Sequence, residues 1–404
     1  MSPTKIDTQP TPIELDLSGA FGLETGLSQA DFLRRAAELD VTRIAFLVSQ
    51  SHAGAAPASP SGLLEEYKTN RRNGLLGRIL GAAKSLRDAT DRVVLLASPR
   101  ATNLAQALFA ACCHPFHNDL PRSQRGGRPK IYFAPASGDN DALNGLLDAL
   151  NSSADTSSET EGGWTLITMD DCGDRELVAG LSEVFLDAMQ QRKPSRAPSA
   201  IVVCNNRSPL EEIAQRYELV ALSAPNDEAI QLHPGVLLTA SIMGMDIVKL
   251  LRGAAFAANQ FAALPPGGNL AFDLAVLHQT LAGEPKNAIW HLEAYISSLR
   301  PLADCLSMRP SAAGSPKFVI QLIAETVRFD RLRVKLSTKG KSNLYLNELA
   351  TQQANAAAVQ LRTSGTPVAT IRLKEFDEHA VGQVLATMNI AQQMAAHLAD
   401  ESKP

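Results

Sequence analysis

The sequence predicts an α/β protein built as two tandem sandwiches with mostly parallel sheets. Between residues 92 and 222, five short apolar runs alternate with helix-length segments, the pattern of βαβ units. The second half repeats that alternation more loosely. At 404 residues, with 45% hydrophobic and 20% charged residues, the chain is long for one core and has an ordinary globular composition.

The elements follow in order. Residues 1–14 are polar and rich in Pro and Thr, and read as a flexible arm. Leu27–Glu38 is helical, with Ser28 ahead of the charged turn Asp31–Arg35 as its cap. Arg43–Ser49 is a β-like run, and the small, Pro-rich residues 51–62 are a loop. Leu63–Ala89 is a basic helical stretch. Strands are expected at Arg92–Ala97, Lys130–Ala134, Trp164–Thr168, Ala200–Cys204 and Leu219–Leu222, with helices at Asn103–Cys113, Ala142–Leu150, Arg175–Gln191 and Leu210–Tyr217 between them. In the second half, long helices are expected over Gly235–Ala263 and Leu270–Leu281. Strands follow at Ala288–Leu292, Lys317–Ala324, Leu332–Leu336 and Val368–Leu373, and helices at Leu299–Met308, Leu346–Thr363 and Ala380–Leu398. The segments divide as 1–84 (an N-terminal helical arm), 85–233 and 234–404 (two α/β subdomains).

Charge and composition exclude several classes. Thirty-eight Lys and Arg against 42 Asp and Glu give a net charge of −4, so no global basic field attracts nucleic acid or anionic lipid. Aromatic residues are only 5%, too few for base-stacking platforms. Five cysteines at irregular spacing do not read as a disulfide framework, and the N-terminus lacks the apolar core of a secretory signal. The most apolar stretch, Pro234 to Pro265, carries Asp246, Lys249 and Arg252, so a core helix is expected there instead of a membrane span. A cytoplasmic, reduced protein is expected.

Ligands of parallel α/β sheets bind outside the carboxyl ends of strands, at helix N-termini. Two loops qualify in the first half. In Ala97–Asn103, Ser98, Thr102 and Asn103 offer hydroxyl and amide donors, and Arg100 offers a fork for a phosphate. Pro99 has no N–H and no glycine lets the backbone approach, so Thr102 or Asn103 as a plain helix cap is the competing reading. In Thr168–Asp174, Thr168 is a candidate ligand-binding hydroxyl, whereas Asp170, Asp171 and Asp174 would repel a phosphate. Asp171 or Asp174 as an N-cap, or paired carboxylates on a divalent cation, are the alternatives. Cys112, Cys113, His114 and His117 cluster within six residues, but Pro115 breaks the helix that would align them, and a helix-end core is the expectation. No metal and no cofactor are expected. Walker, GxGxxG, GxSxG and HExxH patterns are absent.

Three blocks resemble the phosphoglucose isomerase family. Pro234–Ala254 (PGVLLTASIMGMDIVKLLRGA) is similar to that family's "vGLLPAALaGIDi..LLrGA", and Leu346–Leu398 to its C-terminal block. Leu108–Phe133 resembles the matching stretch of bacterial members. The blocks keep the family order. The resemblance implies two sugar-isomerase (SIS) three-layer α/β/α sandwiches, aldose–ketose isomerisation of a sugar phosphate in glycolysis and gluconeogenesis, and dimerising helices.

The family's functional loops are not matched. "GIGGS.lG" falls on Ala97–Leu104, without its glycines and serine, and "SKSG.T.ET" falls on Met169–Leu177, where only Gly173 and Glu176 remain. The arginine of "GGR.S" falls on Glu228. Gln321–Thr326 mimics "QL.AES", which would make Glu325 the catalytic base. A second register places that Glu near Ser311 or Ala312 and puts Lys317 where the ring-opening His belongs. The segment carrying the family's catalytic lysine has no counterpart before Pro404.

Isomerisation needs a base, ring-opening groups and a cation for the enediolate, and each absent group costs about 10²–10⁴ in rate. The leading expectation is thus a degenerate, non-catalytic partner or regulator, a homodimer or a heterodimer with an active isomerase. The rivals are an active isomerase using Glu325 and Lys317 with a sugar-phosphate ligand, and an SIS metabolite-sensing module. Partners among nucleic acids or membranes are not expected.

Overall fold

The computed structural model describes residues 11–22, 24–52, 59–152, 163–170, 174–192, 199–224, 232–282, 289–307, 317–336 and 342–401. The strands are β1 (Glu14–Asp16), β2 (Arg92–Ala97), β3 (Lys130–Pro135), β4 (Trp164–Met169), β5 (Ala200–Cys204), β6 (Val220–Ser223), β7 (Ile289–Ala294), β8 (Lys317–Ala324), β9 (Arg333–Leu336), β10 (Ser342–Tyr345) and β11 (Val368–Leu373). The helices are α1 (Gln29–His52), α2 (Pro60–Thr69), α3 (Leu75–Ala89), α4 (Pro99–Cys112), α5 (Asn140–Ser152), α6 (Arg175–Arg192), α7 (Pro209–Arg216), α8 (Pro234–Met243), α9 (Ile247–Ala263), α10 (Leu270–Ala282), α11 (Arg300–Leu306), α12 (Leu346–Thr363) and α13 (Glu378–Glu401).

The chain forms two compact units, 57–247 and 1–56 with 248–404. In the 57–247 unit the sheet order is β3-β2-β4-β5-β6, and all pairs are parallel. All six residues of β2 are buried, as a central parallel strand covered on both faces requires. Val94 and Leu96 point into a cluster with Leu150 of α5, Val178 and Phe185 of α6, and Ile213 of α7. Alternation turns Val93 and Leu95 to the opposite face, where α3 and α4 pack on α8 and all three on the sheet. The result is a three-layer α/β/α sandwich. The expected arm is divided, since α2 and α3 belong to this unit and α1 to the other. The helix α8 also belongs here.

The other unit has a sheet of order β1-β11-β8-β7, with β7, β8 and β11 parallel and β1 antiparallel on the β11 edge. The arm expected over residues 1–14 thus ends in a strand that begins at Glu14. The Gln383 side chain fixes the residues leading into it, accepting from the Ile13 amide at 3.1 Å and donating to the Thr11 carbonyl at 3.0 Å. β9 and β10 make a separate antiparallel hairpin.

Three local expectations are corrected. Arg43–Ser49 is not a strand but the continuation of α1. Arg43 is buried and donates to the carbonyls of Phe261 (2.7 Å) and Ala262 (3.2 Å) at the end of α9, while Phe46 meets Phe261 edge-on. These i, i+3 anchors override the β-branched composition. Leu63–Ala89 is two helices separated by Asn70–Gly74, not one. Gly235–Ala263 is likewise broken at Gly244, whose φ of 86° is the left-handed cap of α8.

Candidate functional site

Strand order places a switch point in the 57–247 unit. From β2 the chain turns to β3 on one side, then crosses to β4 on the other, so the crevice for a ligand opens between the carboxyl ends of β2 and β4. The register pairs Leu96 with Thr168 and Met169 with Val203. Ser98, Asp170 and Cys204 therefore stand side by side along that edge.

The hydroxyls expected to bind a ligand are spent inside the fold. Ser98 is the N-cap of α4, accepting from the Ala101 amide at 3.3 Å. Thr102 is fully buried and donates to the carbonyls of Ser98 (2.8 Å) and Ala97 (3.3 Å). The cap is therefore Ser98 and neither Thr102 nor Asn103, because Pro99 takes the first helical position. Thr168 is fully buried and hydrogen-bonds Ser182 at 2.7 Å, whose hydroxyl donates to the Val178 carbonyl. Arg100 is exposed on the first turn of α4.

Asp170 occupies the centre. Its side chain is 1% exposed, and Arg175 Nε stands 2.9 Å from Oδ1 as an ion pair. Neither carboxylate oxygen accepts an aligned hydrogen bond among the described residues. Asp174 caps α6, accepting from the Leu177 amide at 3.1 Å. Asp171, Gly173 and Glu228 lie outside the described residues.

His233 and Cys204 complete the edge. His233 caps α8: its Nδ1 accepts from the Gly235 amide at 3.2 Å, and its ring also bonds the Asp170 backbone carbonyl. Nδ1 therefore carries the lone pair and Nε2 the proton. Burial pushes the imidazole down to about 4, against a smaller upward pull from Asp170. Burial raises the Cys204 thiol to about 11, with Glu211 and Asp170 adding to the rise, so it is no nucleophile. α8 comes this close because Gly235 has no side chain; a Cβ there would lie 2.7 Å from Met169 Sδ. The sequence signal for His233 is the Pro at the first helical position, Pro234.

Glu325 and Lys317 sit on one strand of the other unit, at its two ends. Lys317 opens β8 and Glu325 follows its last residue, which separates their Cα atoms by about 26 Å at 3.3 Å per residue. The structure does not bring them together, and the Lys317 side chain lies outside the described residues. Glu325 is exposed at the carboxyl edge; its amide donates to Leu373 at 2.9 Å and its carbonyl accepts from Asn347 at 3.4 Å. Lys374, at the end of β11, pairs with Glu14 at 2.5 Å, and its ammonium is raised first by Glu14 and also by Glu325. Ser311 and Ala312 lie outside the described residues.

Cys112, Cys113 and His117 are buried, and His117 Nε2 donates to the Pro129 carbonyl at 3.0 Å. Among the described residues no three His, Cys, Asp or Glu side chains group as a metal site, and no helix is long and apolar enough to cross a membrane.

No family model matches the chain. A glucose-6-phosphate isomerase of Rubrobacter xylanophilus is 32% identical over 158 residues, 37% of this chain. That match spans only about a third (33%) of the relative's length. A hypothetical protein of Thermus thermophilus has a similar structure, with a TM-score of 0.73 at 17% identity, over 96% of this chain and 94% of that one. A glucose-6-phosphate isomerase of Chlamydia trachomatis superposes with a TM-score of 0.59 at 12% identity, over 80% of this chain and 68% of that one. The chain thus resembles a glucose-6-phosphate isomerase over those 158 residues and shares the SIS-type fold of the Chlamydia trachomatis enzyme.

Proposed function

We propose that this protein is a non-catalytic relative of glucose-6-phosphate isomerases that acts as a partner or regulator, as a homodimer or paired with an active isomerase in the cytoplasm. The single observation behind this reading is Asp170. A buried carboxylate stands in the switch-point crevice where the fold would cradle an anion, and its charge is balanced from within by Arg175. A phosphate entering there meets a carboxylate, Thr102 and Thr168 donate their hydroxyl hydrogens inside the fold, and the Ser98 oxygen caps α4. Bringing two anions together out of water is costly, and the guanidinium nearest this carboxylate, Arg175, is already paired with it. Purified full-length protein should interconvert fructose 6-phosphate and glucose 6-phosphate no faster than buffer. Turnover that disappears in a Glu325→Gln variant would overturn the proposal.

That variant matters because one observation favours the active reading. Glu325 is exposed at a strand's carboxyl end, the position from which a base could reach a ligand. Lys317 at the opposite end of β8 supplies no acid beside it.

A further inference from the structure

A cavity of about 790 Å³ opens at the other edge of the 57–247 sheet, where β2 and β3 begin. Its volume is in the range of small-molecule sites. Arg92, Arg122, Arg125 and Lys130 line it against one interior acid, Asp91, while Asp88 and Asp119 are exposed at the rim.

The arginines are held in place before any ligand arrives. Arg125 is buried and donates to the Arg128 carbonyl (2.9 Å), the Leu120 carbonyl and Asp91 (2.7 Å). Arg122 donates to the Thr90 carbonyl (2.9 Å), to Asp91 (3.0 Å) and to the Arg87 carbonyl. Arg92 donates to the Leu150 carbonyl at 2.9 Å, in the last turn of α5. Asp91 and the ends of α3 and α5 offset part of this charge, since a helix C-terminus carries about half a negative charge. Inside the rim acids an excess of positive charge remains.

Three donors in this wall make no hydrogen bond among the described residues: Arg122 Nε, Lys130 Nζ and the Tyr132 hydroxyl. Lys130 and Tyr132 are two apart on β3 and share one side of that edge strand. Fixed cations, a lysine and a phenol with unused donors, and carboxylates at the mouth describe a receptor for an anion that also carries hydroxyls. The anion is held by charge-assisted hydrogen bonds, the hydroxyls by the rim acids.

We propose that this cavity binds a small hydroxylated anion, its phosphate or carboxylate group on Lys130, Tyr132 and Arg122 and its hydroxyls toward Asp88 and Asp119. The site is separate from the switch-point crevice and does not depend on whether that crevice is catalytic.

The test is calorimetric titration of the full chain with inorganic phosphate, citrate and glucose at fixed ionic strength. The wild type, Lys130→Gln and Tyr132→Phe are compared. Neither substitution removes a hydrogen bond of the fold, so all three proteins should have the same circular dichroism and unliganded melting temperature. The proposal expects saturable binding of citrate or phosphate, weakened about tenfold or more by Lys130→Gln and less by Tyr132→Phe, with glucose inert. Citrate binding alone identifies a carboxylate site, and phosphate binding alone a phosphate site. Absence of saturable binding by both anions, binding indifferent to Lys130→Gln, or equal binding of glucose overturns it.

Discussion

The ring of His233 bonds the backbone carbonyl of Asp170 and accepts the Gly235 amide at 3.2 Å, so one neutral imidazole joins the end of β4 to the start of α8. The carboxylate of Asp170 lies within electrostatic reach of that ring yet leaves it unprotonated, because burial outweighs the attraction. The crevice edge is a closed internal network around one acid.

This network titrates. His233 has a folded value of about 4 against an ordinary 6.5, so the unfolded chain binds more protons between those values. Its contribution is complete above about pH 6.5 and is lost as pH falls toward 4, at most about 3 kcal/mol. Asp273 works in the opposite direction. Burial raises it to about 6, so its contribution is complete below 3.8 and is lost as pH rises through 6. The two partly cancel in the wild type. His233→Asn keeps a good cap and removes the imidazole. Urea unfolding should show the wild type's advantage over that variant to be about 2 kcal/mol larger at pH 7 than at pH 4.5. An equal advantage at both values contradicts the assignment.

Asp170→Ser should turn the crevice from anion-repelling to anion-accepting. The change leaves Arg175 unpaired, and since that guanidinium is 41% exposed the stability loss should be modest, about 1–2 kcal/mol. Inorganic phosphate should then bind with a Kd on the order of millimolar, where the wild-type crevice shows none. Chemical shifts near Arg175 would report it.

Ser98→Ala should cost about 1 kcal/mol in unfolding free energy, the worth of a serine N-cap. Thr102→Val, which removes two backbone hydrogen bonds in a buried position, should cost about 1–2 kcal/mol. Neither should alter ligand affinity at the switch point, because both hydroxyls are internal.

The crossing of α9 and α13 tolerates no added methyl. A Cβ at Gly253 would lie 2.0 Å from the His379 carbonyl, and one at Gly382 would lie 2.0 Å from the Leu250 carbonyl. Gly253→Ala and Gly382→Ala should each destabilise the protein by about 3 kcal/mol or more, read as a lower thermal midpoint. The double variant should cost less than the sum, since one shift of the helices relieves both clashes.

Much of the fold was legible in the chain itself. The buried strands Arg92–Ala97 and Ala200–Cys204 announce themselves because a parallel strand covered on both faces must be continuously apolar. Helices beginning at Pro99, Pro209 and Pro234 carry their caps, Ser98, Ser208 and His233, in the residue before the proline. β1 was not legible, because three residues of an edge strand have no periodicity to show. Arg43–Ser49 misled for the opposite reason: its composition is β-like, and only the distant carbonyls of Phe261 and Ala262 make it helical. Within the candidate site, the acids at the carboxyl end of β4 were visible as charge. That Asp170 is drawn inside and paired with Arg175 was not.

The sequence by itself determined the α/β class, the strand–helix order and the cluster of acids after β4, since periodicity, capping and charge are local properties. Tertiary structure decided which hydroxyls remain for a ligand, that Lys317 and Glu325 lie at opposite ends of one strand, and that a cationic cavity opens where β2 and β3 begin. Those outcomes depend on which distant backbone groups each side chain meets. Burial and hydrogen bonding across the fold set that, and no spacing along the chain encodes it.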